Sequence, residues 1–322
     1  MWHWLVSALA SGATIVLYDG SPFHPFGNLS MPKLIQDLHI NYFGTSAKYL
    51  SILEQNNIKP LSGPDPLNLS SLKAIYSTGS PLASSTFRYV YASFPPSLNL
   101  GSITGGTDII SLFGAPCPLL PVHPGEIQCA ALGMDISALL PNGTQAPADT
   151  AGDLVCRSPF PSQPITFFGP SGSDKYFSSY FAKFSGVWHH GDFVRFSART
   201  GGITMLGRSD GILKPAGVRF GSAEIYNLLL AHFADQVSDA ICVGRRREGI
   251  DTDEAVVLFL KMSEGNKCDE VLKEKVKTVV RKALSARHVP AIIDECYEIP
   301  VTGNGKKYEL WPLLPFYGTY LS

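Results

Sequence analysis

Short apolar runs of strand length alternate with helical patterns through the first hundred residues, and this limits the fold more than any other feature. Helices are expected at 2–10, from Met31, at 46–55 and at 83–92, with strands at 14–18 (TIVLY), 40–44 (INYFG), 72–77 (LKAIYS) and 97–103 (SLNLGSI). Strand and helix in alternation imply an α/β fold, a doubly wound sheet with helices on its faces. Ligands of such sheets sit at the carboxyl ends of the strands.

From Pro116 to Thr204 the texture becomes β-rich, with GEIQCAAL, GDLVCRS and VWHHGDFVRF separated by Pro/Gly/Ser loops. A distorted barrel or sheet beside the first part is expected. After Asp210 the pattern is helix 221–232, strands DAICVG and EAVVLFLKM, helix 267–285, strand AIIDECYEI and a short closing helix. This reads as an α+β module, so the expected division is 1–209 and 210–322.

A chain of 322 residues, 45% hydrophobic, can bury a large core. Its formal charge of -1 supplies no field to steer it onto nucleic acid or an anionic membrane, so small-molecule partners are expected. The six cysteines form no Cys-x-x-Cys pair, which argues against a zinc knuckle or disulfide framework. The opening MWHWLVSALASGATIVLYDG lacks a basic n-region, and its apolar run is too short to span a bilayer. No membrane span and a reducing, cytoplasmic setting are the expectation, which leaves the Asn28, Asn68 and Asn142 sequons without use.

Against 16% charge overall, GRSDGILKPAGVRFGSAEIYN (207–227) crowds Arg208, Asp210, Lys214, Arg219 and Glu224 among four glycines. Glycines so placed forbid a continuous helix and let backbone turn or approach a ligand. Four other loops combine small residues with polar side chains that packing does not require. In YSTGSPL, Gly79 and Pro81 let a flat ring lie on main chain, while Thr78 and Ser80 suit either a ligand or the cap of the next helix. In GSITGGTDIISLF, Thr107 and Asp108 suit a phosphate with its Mg²⁺, or equally a helix N-terminus. In WHHGDFVRF, Asp192 suits vicinal ribose hydroxyls, and His189 and His190 point to opposite faces of a strand, which disfavours a shared metal. In IPVTGNGKKYEL, a turn through Gly303 and Gly305 presents Lys306 and Lys307, ready for an anionic centre or simply solvated.

In this order the stretches resemble the adenylate-forming superfamily of acyl-CoA synthetases and AMP-binding domains. WLVSALASGATIVLYDGSP, GGTDIISLF, LPVHPGEIQC and ILKPAGVRFGSAEIYN look most like its acetoacetyl-CoA synthetase branch. The resemblance implies part of a large AMP-binding domain, a doubly wound sheet plus a β-rich subdomain, followed by a small swivelling α+β domain. The family loop S-S-G-T-T-G-x-P-K that grips the ATP β- and γ-phosphates does not occur in the sequence. A chain truncated at its N-terminus is therefore expected.

By the same resemblance the reaction is ATP-dependent ligation of acetoacetate to CoA through acetoacetyl-AMP. Gly79, Ser80 and Pro81 would line adenine, Asp192 and Arg208 would bind ribose, Thr107 and Arg219 would meet phosphate, and Asp108 would hold Mg²⁺. Lys306 would be the catalytic lysine, Asp210 the hinge, and Gly217 the border of the CoA channel. Arg281, 25 residues before Lys306, would meet the CoA 3′-phosphate. No Gly-Gly-x-Ser carrier site follows the module, so no carrier protein is expected.

Overall fold

The computed structural model describes residues 2–215, 218–246, 250–251, 253–301 and 307. Helix α1 (Trp2–Ala10) leads through a loop to α2 (Ser30–Asp37), and two strand–helix units and a third strand follow: β1 (Tyr42–Ser46), α3 (Ala47–Gln55), β2 (Ala74–Thr78), α4 (Ser84–Ser93) and β3 (Asn99–Ser102). The strands form one parallel sheet in the order β1-β2-β3. Each crossover carries a helix, as parallel pairing requires. Leu50 and Leu53 of α3, Phe87 and Val90 of α4, and Ile75 and Leu100 of the strands close a core in which all six are fully buried.

The expected strand at 14–18 does not form. Val16, Leu17 and Tyr18 are exposed, and the Tyr18 hydroxyl donates to the His24 carbonyl at 2.6 Å, folding the segment on itself. An apolar run becomes a strand only where a neighbour pairs with its backbone, and no described segment does so here.

The middle of the chain holds two antiparallel sheets. One comprises β4 (Thr104–Gly106), β5 (Ser111–Ala115) and β6 (Cys129–Ala130). Strand β6 is shorter than GEIQCAAL suggested because the Ile127 backbone pairs instead with Ile203, at 2.8 Å in each direction, while the Gln128 side chain donates to Cys117 O and Leu120 O at 2.8 Å each. The other comprises β7 (Ile136–Leu139) and β8 (Ala151–Cys156), then, after α5 (Gly172–Tyr180), β9 (Trp188–Phe196) and β10 (Ile203–Arg208), in the order β10-β9-β8-β7. Phe113, Leu154, Trp188, Val194 and Ile203 join the two sheets in one core.

Beyond the hinge stretch come α6 (Ser222–Phe233), β11 (Val237–Arg245), β12 (Ala255–Met262), α7 (Glu270–Ala283) and β13 (Ile292–Glu295), with sheet order β11-β12-β13. Cys242, Leu258 and Leu260 pack under the helices, whereas Ile241, Val243, Val257 and Phe259 bury on the opposite face. Burial on both faces explains why these strands read as unbroken apolar runs. Ile225, Leu229 and Phe233 of α6, like Leu272, Val276 and Val280 of α7, recur every four residues and make the inward stripes. Asp269 caps α7 by accepting from Leu272 N–H at 2.8 Å, and Glu224 reaches back to the Gly221 N–H at 3.2 Å to start α6. The expected closing helix lies outside the described residues.

Candidate active site

Strands β2 and β3 are paired through Ser77 and Ser102, so residues 79–81 and the strand β4 leave the same carboxyl end of the parallel sheet. Gly79 adopts φ 94°, and it and Ser80 are exposed while Pro81 is half-buried. Neither Thr78 nor Ser80 caps α4, whose N-cap is Ala83 with no side-chain bond. Thr107 and Asp108 lie in a turn, with Ile110 N–H donating to Thr107 O at 3.3 Å, that leads into β5 rather than into a helix. Of the two readings left open for Asp108, the helix-terminus one is therefore excluded.

Asp108 has a partner the sequence did not announce. The Tyr180 hydroxyl, at the end of α5, donates to its Oδ2. The Tyr180 ring stacks on Trp188 with centroids 3.8 Å apart and planes 15° from parallel. Burial first, and then the hydrogen bond to the Asp108 carboxylate, push the Tyr180 pKa upward, so the phenol stays protonated and donating.

Asp192 is buried and held from three strands. Register pairs it with Arg208 across β9 and β10, and Arg208 Nη1 lies 3.2 Å from its Oδ1. Thr104 of β4 donates to Oδ2 at 3.2 Å, and His190 Nε2 lies 3.7 Å from the same oxygen. Gly191 between them takes φ 81°, which favours glycine, and a Cβ there would stand 2.7 Å from Arg208 Nη2, so the guanidinium would have to shift off Asp192 to admit a side chain. Arg208 also reaches Asp210, Nε to Oδ1 at 3.4 Å, which ties the expected hinge residue to the same cluster.

His189 serves a different carboxylate, as opposite strand faces require: its Nε2 is 3.4 Å from Asp153 Oδ1. Fully buried Asp153 of β8 also meets Lys183 at 2.9 Å and Arg219 at 3.6 Å, and the Arg219 guanidinium lies 4.9 Å over the Phe193 ring. Burial alone would raise the Asp153 pKa, but His189, the Ser209 hydroxyl and Lys183 hold it well below the usual carboxylate range. Arg219 is thus set on Asp153, and Arg281 is exposed on the last turn of α7.

Lys306 and Gly217 lie outside the described residues. Lys307 is described and is anchored rather than simply solvated: its Nζ donates to Ala240 O at 2.6 Å, pairs with Asp239 Oδ1 at 2.6 Å and sits 4.1 Å over the Tyr226 ring. Asp239 in turn meets Lys48 of α3 at 3.3 Å, linking the last module to the first sheet. Signals for Thr104 and His190 were present in the loops quoted above. Tyr180, Asp153 and Asp239 carry none, since each sits in an ordinary helical or strand pattern.

The fold that sets these loops at one sheet end is shared with a solved acetoacetyl-CoA synthetase from Streptomyces lividans, TM-score 0.84 at 36% identity, over 96% of this chain and 46% of that one. The chain is similar over nearly all its length to adenylate-forming enzymes. It is 48% identical over 310 residues to the acetoacetyl-CoA synthetase of Gallus gallus, covering 96% of this chain and 45% of that protein. To the malonamoyl-CoA synthetase of Penicillium aethiopicum it is 55% identical over 320 residues, covering 96% and 43% respectively. No family model matches the sequence. The chain spans less than half the length of the relatives it matches. Among the described residues no helix is long and apolar enough to cross a membrane.

Proposed function

We propose that this chain carries the nucleotide-facing part of an acid:CoA ligase that activates acetoacetate as acetoacetyl-AMP and passes the acyl group to CoA. The single observation carrying this reading is the convergence of Asp192, Arg208, Thr104 and the Thr107–Asp108 turn at the carboxyl end of the parallel sheet. Asp192 would accept both ribose hydroxyls, with Arg208 beside it, while Gly79, Ser80 and Pro81 present main chain to adenine. Thr107 would contact the α-phosphate, and Arg219 would reach phosphate after leaving Asp153.

No group of three or more His, Cys, Asp or Glu among the described residues forms a metal cage. That fits Mg²⁺ held by Asp108 and nucleotide oxygens, because this ion keeps several waters and needs few protein ligands. Bound there, it would neutralise phosphate charge. The barrier is the meeting of two anions, so this chain's contribution is position and positive charge. Lys306 would bridge carboxylate and α-phosphate, then withdraw as the module turns about Asp210 and brings Gly217 to the thiol channel, with Arg281 toward the CoA 3′-phosphate. Partners are then ATP, CoA and a small acid, with no nucleic acid, in a cytoplasmic setting.

Malonamate and acetoacetate share a carbonyl two carbons from the carboxylate and differ only in an amino against a methyl group beyond it. The malonamoyl-CoA synthetase at 55% identity makes malonamate the second acid to test. A further reading is an AMP- or CoA-binding protein without catalysis.

Pyrophosphate release, assayed with acetoacetate, malonamate, acetate and longer acids, separates these readings. Release with a short β-carbonyl acid supports the ligase; AMP binding without release supports the binding protein; neither overturns both. Where release occurs, Lys306→Ala is expected to lower adenylation by at least ~10²-fold and to spare thioester formation from supplied acetoacetyl-AMP. Equal loss of both steps would remove Lys306 from the first.

A further inference from the structure

His190 has a place in this site that neither a metal nor core packing accounts for. Residues 188, 190 and 192 alternate onto the buried face of β9. The Trp188 indole N–H donates to His190 Nδ1 at 3.4 Å, so in the neutral ring Nε2 carries the hydrogen. That nitrogen faces Asp192 Oδ2 at 3.7 Å. The ring is pressed against β4, where a Cβ on Gly106 would come within 2.7 Å of its Cε1, and Phe113 meets it edge-on at 4.7 Å. One imidazole therefore touches both the ribose-side carboxylate and the strand that delivers Thr107 and Asp108.

We propose that His190 is a positioning residue for nucleotide binding. Oriented by Trp188, it fixes the plane of the Asp192 carboxylate for vicinal hydroxyls and locks that carboxylate to the strand entering the phosphate turn. Asp192 Oδ1 answers to β10 through Arg208, whereas Oδ2 answers to β4 through Thr104 and to β9 through His190. A carboxylate fixed in this way loses less freedom when ligand hydroxyls arrive. The proposal rests on the nucleotide reading given above.

The test is calorimetric titration with AMP and with its 2′,3′-dideoxy analogue, which lacks both hydroxyls. His190→Asn keeps an acceptor for the Trp188 N–H but cannot reach Asp192, whereas His190→Gln places an amide N–H near the position of Nε2. The ratio of the two affinities is expected to fall about tenfold in His190→Asn and to stay near wild type in His190→Gln. Equal weakening of both ligands, or identical behaviour of Asn and Gln, overturns the proposal. Trp188→Phe, which leaves His190 in place and removes the donor that sets its tautomer, is the independent second variant. It is expected to lower the ratio about threefold, and an unchanged ratio overturns the proposal. Wild type binding neither ligand would defeat the nucleotide reading and this proposal together; wild-type discrimination that both Asn and Phe variants retain would defeat this one alone.

Discussion

Asp153→Ala is expected to destabilise the protein by about 3 kcal/mol, the cost of stranding charges whose buried partner has gone. Asp153 has no exposure, and Lys183, His189 and Arg219 close on it within 3.6 Å. Lys183 and Arg219 keep some contact with water, side-chain exposures 39% and 21%, which places the effect at the lower end for buried pairs. Urea unfolding measures it, and a loss under ~1 kcal/mol would show that the cluster does not hold the fold. The pH dependence has a defined sign. The folded-state pKa of Asp153 lies below its unfolded value, so its contribution is complete above the unfolded pKa of about 4 and fades as pH falls toward the folded one. The stability gap between wild type and Asp153→Asn should therefore close below about pH 4 and stay constant above about pH 5.

Asp192→Ala is expected to weaken AMP binding about 100-fold, two charge-assisted bonds to ribose hydroxyls at roughly 1.5 kcal/mol each. The same change leaves the Arg208 guanidinium without its 3.2 Å partner, so thermal unfolding of the variant must accompany the titration. Wild-type affinity in a folded Asp192→Ala protein would remove ribose from this carboxylate. Loss of affinity for AMP with unchanged affinity for the dideoxy analogue is the result that assigns it.

Helices α6 and α7 were legible to within a few residues because their apolar stripes recur every four positions and their caps are local, Asp269 three residues from Leu272 and Glu224 three from Gly221, whereas α5 was not, since Gly172–Tyr180 opens inside the GPSGSD loop of a stretch that read as β-rich. The strands were legible only where something pairs with them. TIVLY has the composition of a strand and forms none, whereas β6 shrank because the Ile127 backbone pairs with Ile203 instead. In the candidate site, Asp108 and Asp192 could be picked out from Gly-opened loops. The pairings of Asp108 with Tyr180 and of Asp192 with Thr104 could not, since Tyr180 lies 72 residues from Asp108 and Thr104 lies 88 from Asp192.

By itself the sequence determined the alternation of strands and helices, the order of the loops at their ends, and the superfamily those loops resemble. Period and local chemistry, which act over a few residues, suffice for each. Only the tertiary structure decided that two adjacent histidines serve two different carboxylates, that Arg219 rests on Asp153, and that Lys307 is anchored to Asp239 rather than free. His190 and Asp192 are neighbours on one strand face, but the Asp153 and Asp239 pairings join residues far apart in the chain, and the Coulombic and hydrogen-bonding preferences that fix those depend on distances which no local spacing encodes.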